Sequence, residues 1–416
     1  MSDFLVKGGS TAKLGRVDGD LKVGRNVTIT AESGGKVVVA GGAYFEGQVR
    51  INCDLECQTM GVEGSGYGPG GDVRVRGNLK VIGKADLNAT VRVDGSTVCD
   101  DLDVGGHFES ESLTSRRARV GGHMKISGRL EAAQVDVGGH LTVFDSVKIT
   151  DLRVGGHVEV GGGSISGEIR VRGHFKTTKK LDYGKLKVFG NTVFPAGCTG
   201  ESLTAIGRVE FEGDTSCKAL DVSGSAWVRG NCAADQVEVK GRMEVRGSLT
   251  SKKLDVLGTT SAGGQVTSDE IRVGGRLEAD KVLANHSIQV AGELCTTRGA
   301  KSSAVVIGRG SRFAGPIVAD EVEIGKELAF AQGVLDRLSP ERLSTIGRMT
   351  RVDDVHARAV KMWHYSRAKK IFAERVEMGE GTIADKIEYT KELALPRNYH
   401  VEEQATKVER LPDPPL

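Results

Sequence analysis

Five histidines stand in one register of the chain, and imidazole is the side chain that binds metal ions, moves protons and titrates near neutral pH. The phrase VGGH stands at 104–107, 120–123, 137–140 and 154–157, and VRGH follows at 171–174. These phrases end in His107, His123, His140, His157 and His174, which are spaced almost evenly along the chain. Such a row could hold metal ions, supply catalytic bases or mark the outer face of a repeat.

The period of this phrase runs through most of the chain. Counterparts of its second glycine recur from Gly106 to Gly325 at nearly constant steps, which is the signature of a repeat architecture. Within "VDVGGHLTVFDSVKITDLRV" (135–154), apolar residues alternate in three short runs per period. Alternation with period two is typical of strands with one face inward. The sequence therefore predicts an all-β fold, a triangular parallel β-helix with about 17 residues per coil.

The geometry of such a coil leads to three further expectations. Equivalent residues of successive coils should stack about 4.8 Å apart. Ordinary parallel crossovers favour a right-handed helix. Glycine is expected at each corner because it tolerates a positive φ.

The regularity of the period divides the chain into five segments. We predict a flexible N-terminal tip at 1–14, irregular coils at 15–103 with a glycine-rich loop at 61–71, regular coils at 104–326, less regular coils and a small cap at 327–410, and a Pro-rich tail at 411–416. The step from Gly95 to Gly106 is much shorter than a full period and indicates a skipped side or a local loop. The phrase LDRLSPERLS (335–344) is typical of an inserted loop or short helix.

Composition favours one elongated repeat array over several compact domains. The 416 residues include 58 glycines, 8 prolines and only 5% aromatics, yet 38% are hydrophobic, which is too apolar for a disordered chain. A net charge of +2 provides no global attraction to nucleic acid or anionic lipid. Seven scattered cysteines without a CxxC pair, and the lack of an apolar leader, fit a cytoplasmic protein. Phe4, Leu5 and Val6 form at most a weak membrane anchor, and a disordered tip is favoured.

Alternation places the histidines on the outside of the predicted coil. Around His140 the inward positions are Val137, Leu141 and Val143, so the imidazole points to solvent. A zinc site needs three or four ligands that converge on one point, whereas a straight column offers an ion at most two neighbours. We therefore favour structural stacking over a pH- or metal-sensitive surface, and either over catalysis. No cofactor or metal is predicted, and the column is only a weak metal candidate.

Charged residues continue this column beyond the histidines. The positions that follow are Asn191, Arg208, Ser225, Arg242, Thr259, Arg276, Glu293, Arg309 and Lys326. Acids stand in the flanking outward columns: Glu210, Glu244 and Glu278 on one side, and Asp221, Glu238 and Asp255 on the other. We expect a solvated face neutralised by ion pairs rather than a nucleic-acid site.

One segment mixes basic and aromatic residues without any acid. It is "HARAVKMWHYSRAKKIF" at 356–372, and its candidate contact residues are Arg358, Lys361, Trp363, Tyr365, Arg367, Lys369, Lys370 and Phe372. Such a mixture can grip nucleic acid, polysaccharide or a membrane surface. The favoured interpretation is a terminal cap whose aromatics cover the last coil, and contact with a partner is the alternative.

Enzyme signatures are weak. No GxSxG, HExxH or P-loop motif occurs. Hexapeptide acyltransferases also fold as triangular β-helices and use a histidine base, but their repeat is a stricter six and their histidine is solitary. We predict a protein that is not an enzyme, and keep an acyltransferase as the third reading.

The repeat resembles the bactofilin family of polymer-forming cytoskeletal proteins. The resemblance rests on the length of the coil, on phrases such as ADQVEVKG (234–241) and ADEVEIG (319–325), and on the Pro-rich tail. It implies a right-handed triangular β-helix that assembles end to end, without nucleotide, into filaments that scaffold client proteins, often at the membrane. The expected function is thus a self-assembling scaffold, with a binding module for nucleic acid, polysaccharide or membrane as the runner-up.

Overall fold

The fold is all-β in the residues that the structure, a computed structural model, describes: 3–63, 71–328 and 349–415. These ranges contain 40 strands and no helix. The chain divides into two compact units, unit 1 (Met1–Glu201) and unit 2 (Ser202–Leu416). The LDRLSPERLS phrase and most of the predicted glycine-rich loop lie outside the described residues, although Gly61 and Val62 belong to a strand.

The strands of unit 1 are short where the turns are irregular and longer where two sides run together. They are β1 (Phe4–Val6), β2 (Thr11–Leu14), β3 (Arg16–Val17), β4 (Leu21–Val23), β5 (Val27–Ala31), β6 (Lys36–Val39), β7 (Gly42–Glu46), β8 (Val49–Ile51), β9 (Asp54–Cys57), β10 (Thr59–Glu63), β11 (Asp72–Val75), β12 (Leu79–Leu87), β13 (Thr90–Val104), β14 (His107–Val120), β15 (His123–Ile126), β16 (Leu130–Val137), β17 (His140–Val143), β18 (Val147–Val154), β19 (His157–Val160), β20 (Gly163–Val171), β21 (His174–Thr177), β22 (Leu181–Val188) and β23 (Asn191–Phe194).

The strands of unit 2 repeat the same alternation of short and long elements. β24 (Cys198–Ala205) contains the boundary between the units, and the others are β25 (Arg208–Phe211), β26 (Thr215–Val222), β27 (Ser225–Val228), β28 (Cys232–Val239), β29 (Arg242–Val245), β30 (Leu249–Val256), β31 (Thr259–Val273), β32 (Arg276–Val290), β33 (Glu293–Gly308), β34 (Arg312–Ala314), β35 (Ile317–Lys326), β36 (Thr350–Met362), β37 (Ser366–Met378), β38 (Thr382–Ala394), β39 (Tyr399–Val401) and β40 (Thr406–Lys407).

Each regular turn has three sides, which we name A, B and C in chain order. A turn of unit 1 consists of His140–Val143 (side A), 147–149 (side B) and 151–154 (side C). A turn of unit 2 consists of Arg242–Val245, 249–251 and 253–256. Each side pairs in parallel with the same side of the next turn, so the strands stack as a β-solenoid of about 22 turns with roughly 17 residues per turn. The predicted β-helix is confirmed.

The core is the column of inward side chains inside the three sides. Leu141 and Leu152 are fully buried, and the large side chains of Phe108 and Phe175 fill the same interior. Burying one such side chain contributes about 1.5–3 kcal/mol. Because each turn has only short sides, its apolar residues are buried mainly by the turns above and below, which explains the need for a strict period.

Steric crowding, not a positive φ, explains the second glycine of the regular corners, of which Gly139 is an example. A Cβ on Gly139 would lie 2.1 Å from the carbonyl oxygen of Gly122, one turn earlier, which is a severe overlap with backbone. A Cβ on Gly138 would lie 3.7 Å from the oxygen of Val120, which is ordinary contact. Neither glycine has a positive φ. Our expectation about φ was therefore wrong for the regular corners, where the close approach of successive turns is the physical reason for glycine, but it holds at Gly325, whose φ is 86°.

Of the predicted flexible tip at 1–14, the described residues 3–14 form strands β1 and β2 and the turn between them. β1 pairs with β4, so that Phe4 is opposite Leu21, and β2 pairs with β5, so that Thr11 is opposite Thr28. The first turn has the same alternation of inward and outward side chains as the later turns, since Val6 is buried and Leu5 is exposed. Three residues at the start of a chain are too few for this pattern to stand out in the sequence.

The short step from Gly95 to Gly106 does not mark a skipped side. Thr90 is opposite His107, so the turn below Gly106 is complete. Gly95 stands at the corner between sides A and B, where its N–H donates to the carbonyl of Gly77. The two glycines belong to different corners, and the corner residue beneath Gly106 is Ala89.

The segment 356–372 is part of the solenoid wall and not a cap over it. It runs from β36 into β37, and β37 pairs with β36 on one edge and with β38 on the other. The strands that lie over the last complete turn are β39 and β40, which pair with the first and middle parts of β38. The small terminal covering segment is therefore at 399–407, because the alternating pattern of the solenoid continues through 356–372.

Corners between sides A and B are tied together by a ladder of side-chain hydrogen bonds along the solenoid. In unit 2 the N–H of Asn231 donates to Oδ1 of Asp214 at 2.7 Å, and the N–H of Ser248 donates to Oδ1 of Asn231 at 2.9 Å. In unit 1 the N–H of Asn78 donates to Oδ1 of Asp54 at 2.7 Å. These side chains accept bonds from backbone donors that the sheet ladder does not reach at the corner.

Candidate functional site

The histidine column lies on side A of unit 1, at the first residue after the glycine corner. The five residues are in register from His107 to His174, each opposite the next. Ring centroids of His123 and His140 are 4.6 Å apart and stacked, whereas those of His140 and His157 are 5.7 Å apart and tilted. The predicted outward column of imidazoles is confirmed.

The geometry of this column suits stacking better than metal binding. Two of the four neighbouring pairs, His123 with His140 and His157 with His174, are stacked face to face with interplanar angles of 16°, and a straight stack offers an ion at most two neighbouring rings. Of the five, His107 is the one with a carboxylate partner among the described residues, with Nε2 at 3.0 Å from Oε1 of Glu109. Within 3–63, 71–328 and 349–415, no group of three or more His, Cys, Asp or Glu residues is arranged to hold a metal ion.

The charged column of unit 2 follows the predicted register only as far as Glu293. Arg242, Thr259, Arg276 and Glu293 are in register on side A. Glu293 is then opposite Arg312 rather than Arg309. The corner at 308–311 is longer than the others and turns at Gly310, whose φ is 77°, so the column moves to Arg312, Arg351 and Arg367. Our placement of Arg309 and Lys326 in this column was wrong.

Ion pairs neutralise these outward columns, as the sequence predicts. On side A, Arg276 pairs with Glu278 and, at 3.3 Å, with Glu293. On side C the acids pair with lysines of the same side, since Nζ of Lys253 lies 3.1 Å from Oδ2 of Asp255. Exposed pairs of this kind each contribute little stability, about 0–1 kcal/mol. Their main effect is a lateral surface of mixed and balanced charge.

Most of the basic residues in 356–372 have acidic partners from neighbouring turns. The pairs are Arg358 with Asp320 at 3.1 Å, Lys361 with Glu377 at 2.8 Å, Arg367 with Asp385 at 2.9 Å and Lys369 with Asp353 at 2.7 Å. Lys370 is the one basic member of this set without an ion pair to a described residue. Phe372 stacks on His356 with centroids 4.6 Å apart. The segment is therefore much less basic in the fold than in the sequence.

Two aromatic residues of this segment stay exposed at the corner between sides C and A. The indole Nε1 of Trp363 donates to Glu323 at 3.0 Å, and Nζ of Lys361 lies 4.8 Å from its ring centroid. Tyr365 is 61% exposed and has a φ of 56°, a backbone conformation that bulky residues rarely adopt. Such strain at an exposed ring is a reason to keep Tyr365 as a contact candidate.

Two grooves lie on the sides of unit 1, and neither is lined by histidine. The larger, about 830 Å³, runs along side B and the corner between sides B and C, and it is lined by small residues such as Thr114 and Ala133 beside Lys80, Arg116 and Lys148. The smaller, about 600 Å³, is lined by Leu5, Tyr44 and Met60 among others. An acyltransferase of the kind considered above would place a histidine base at such a groove. Neither of these two grooves has a histidine in its lining.

Five of the seven cysteines are buried in the core, and Cys217 and Cys295 are half-buried. No disulfide joins the seven, all of which lie in the described ranges. Burial raises the pKa of the Cys57 and Cys99 thiols to about 12, and it also raises the pKa of Cys232. A thiol with a raised pKa is protonated at neutral pH and is a poor nucleophile.

The ends of the stacked strands expose backbone edges and apolar side chains together. β1, β2 and β3 each pair with one strand only, and no described residue pairs with their other edge. At the opposite end, β39, β40 and residues 392–394 of β38 are likewise paired on one edge only. Phe4, Leu5, Leu395 and Tyr399 are between 39% and 65% exposed at these edges. The alternation of Phe4 and Val6, one period before that of Leu21 and Val23, was the sequence signal for β1.

Comparison with known proteins gives no relative: no family model matches the chain, and neither a curated protein nor a solved structure matches it. The described residues contain no helical segment with the length and hydropathy of a membrane span.

Proposed function

We propose that this protein is a non-enzymatic scaffold that assembles end to end with copies of itself through its terminal turns. The observation that carries the proposal is the pair of open strand edges, in which unpaired backbone donors and acceptors stand beside exposed apolar residues. An unpaired edge recruits another edge unless it is covered. Parallel strand pairing across the joint needs no nucleotide, so the filament is nucleotide-independent.

The lateral surface supports assembly through the ends rather than the sides. Ion pairs balance the outward charges of both units, as in Arg276 with Glu293 and Lys148 with Glu131. A face of balanced, solvated charge offers little for a second copy to bury. We extend the resemblance to bactofilins to this point only as a proposal: a cytoplasmic polymer that presents its sides to client proteins.

A binding module is the second candidate, and Tyr365 is the observation that favours it. An exposed tyrosine with a positive φ, close to Trp363, could stack on a base or a sugar ring. Because four of the five cations in 356–372 are paired, phosphate binding by this segment ranks below self-assembly. Retention on nucleic acid that is lost on Tyr365→Ala, with assembly unchanged, would establish this second candidate.

Sedimentation velocity over a concentration series tests the first proposal. We expect the sedimentation coefficient to rise steadily with protein concentration, with no effect of added ATP or GTP. Because the joint consists of backbone pairing and apolar contact, the rise should survive an increase in salt from about 0.1 to 0.5 M, at which surface charges are screened. A single species at all concentrations would refute the proposal.

A further inference from the structure

The first three strands occupy the three sides of one turn in the order C, A, B. β1 belongs to side C, because Phe4 is opposite Leu21 and the register continues turn by turn to Leu152. β2 belongs to side A, where Thr11 begins the outward column that leads to Thr142. β3 belongs to side B, where Arg16 begins the column that leads to Lys148.

The last three strand segments occupy the sides in the same order. Residues 392–394 of β38 belong to side C, because Ala394 is opposite Glu377 and the register leads back to Asp255. β39 follows on side A, where His400 is opposite Ile383, and β40 follows on side B, where Thr406 is opposite Glu388. The first turn and the last turn therefore both begin on side C and follow the order C, A, B.

The last turn of one copy ends on side B, and the first turn of another copy begins on side C. The two ends can therefore join without a missing or a doubled side. We infer that this protein assembles head to tail, with β1 of one copy lying in parallel over residues 393–395 of the next copy, residues 8–14, which contain β2, over residues 399–405, which contain β39, and β3 over β40. The inference depends on the end-to-end assembly proposed above, and it adds the polarity and the register of the joint. Each of the three sides of the first turn then lies over the same side of the last turn.

The register supports this arrangement on sides C and B. Phe4 and Leu5 would meet Leu393 and Ala394 of β38, and the two residues of β3 would meet the two of β40. On side A, Thr11 of β2 would lie opposite Glu402, the residue directly after β39. A head-to-head joint would relate two copies by a two-fold axis. One side of the first copy would then pair with the same side of the second copy, and the other two sides would pair with each other. Strands of four and two residues would then face each other in antiparallel orientation.

Side chains across the proposed joint on side C are all apolar. Leu152 in unit 1 and Leu254 in unit 2 hold the equivalent inward position of side C, since each stands four residues before the second glycine of its corner. Phe4 and Leu393 belong to this column at the two ends, so Phe4 would lie on Leu393, Leu5 on Ala394 and Val6 on Leu395. Phe4 is 44% exposed, Leu5 65% and Leu395 39%. The joint would bury these exposed apolar surfaces, which stabilises association.

Thiol cross-linking of the full-length protein tests this register. Leu5 and Ala394 are exposed and would be outward neighbours on adjacent strands, about 4.8 Å apart. A mixture of Leu5→Cys and Ala394→Cys proteins should give a cross-linked dimer with a short thiol-reactive linker. Each variant alone should give no more product than the wild type, which corrects for the native cysteines. A control mixture of Leu5→Cys and Ile206→Cys should stay at background, because Ile206 is similarly exposed but belongs to a turn remote from both open edges.

The outcomes separate this inference from the proposed function. A cross-linked dimer from Leu5→Cys alone would establish a head-to-head joint and overturn the inference. Filaments without the mixed product would also overturn it, while end-to-end assembly would stand. Protein that stays monomeric at all concentrations would refute both. A mixed product well above the Ile206→Cys control would support the head-to-tail register.

Discussion

A Cβ on Gly139 would lie 2.1 Å from the carbonyl oxygen of Gly122, whereas the neighbouring Gly138 has room for one. The added Cβ would meet backbone atoms of the corner one turn earlier. Neither corner could move to relieve the overlap without displacing the strands that it connects. This relationship repeats along the solenoid, as for Gly156 over Gly139 and Gly258 over Gly241. It sets how closely successive corners approach.

We predict that Gly139→Ala lowers the free energy of unfolding by about 3 kcal/mol, since overpacking a tight contact typically costs 1–3 kcal/mol or more. Gly138→Ala is the matched control and should change it by less than about 1 kcal/mol, because its Cβ meets only ordinary contact. Urea unfolding followed by circular dichroism measures both. Equal effects of the two substitutions would contradict the steric explanation.

The corner ladder predicts a smaller effect at Asn231. Its Oδ1 accepts the N–H of Ser248, so Asn231→Ala should cost about 1 kcal/mol, the typical value of one hydrogen bond. Asn231→Asp keeps the acceptor and should be nearly neutral, as Asp214 occupies the equivalent position one turn earlier. The urea midpoint of the two variants distinguishes the roles. If Asn231→Asp were as destabilising as Asn231→Ala, the acceptor would not be the cause.

The histidine column predicts little change when one ring is replaced. His140→Gln should leave both the fold and the assembly unchanged at neutral pH, because the side chain is outward and contacts mainly its neighbours in the column. Circular dichroism and sedimentation velocity of the variant check this. A loss of assembly in a folded variant would show that the column has a function beyond stacking.

The ion pairs predict a loss of stability in acid. Hydrogen bonds from Lys36 and Lys80 lower the pKa of Glu56 below its ordinary value of 4.5. A carboxyl group whose pKa is lower in the folded state stabilises the fold above pH 4.5 and loses that contribution as the pH falls through the folded pKa. The melting temperature should therefore fall between pH 5 and about 3, and it should fall less for Glu56→Gln. An equal fall in both proteins would contradict this role for Glu56.

The sequence predicts the repeating part of the molecule well because one rule applies at every turn. Alternation within a side and a nearly constant period identify Leu141 and Val143 as core residues and His140 as outward. These features depend on local patterns that recur many times, so chance matches are averaged out. The column of histidines and the neutralised arginines follow from the same rule.

The sequence does not predict the places where the period changes. β3 is opposite β6, where Arg16 meets Val38 at more than one regular period along the chain, and the corner before Arg312 is longer than its neighbours. An insertion at a corner shifts the sequence spacing without changing the side on which the chain resumes, and only the paired strands reveal this. For the same reason, the positions of Phe4 and Leu393 in the sequence do not reveal that the first and last turns begin on the same side.

The corner ladder and the ion pairs of 356–372 were also hidden in the sequence. Asp214, Asn231 and Ser248 are ordinary turn residues, and their alignment is visible only when the turns are stacked. The partners of Arg358 and Lys369 come from other turns, so a segment without acids looked more basic than it is. Contacts along the solenoid axis thus account for most of what sequence reasoning missed.

Electron microscopy of the purified protein beside its Leu395→Asp variant tests the central claim most directly. Leu395 is exposed at an open edge, so a charge there should leave each copy folded but should oppose burial in a joint. We expect unbranched filaments from the wild type and from Ile206→Asp, the similarly exposed control, and only single particles from Leu395→Asp. Single particles from the wild type at all concentrations, or filaments from Leu395→Asp equal to those of the wild type, would contradict assembly through the terminal turns.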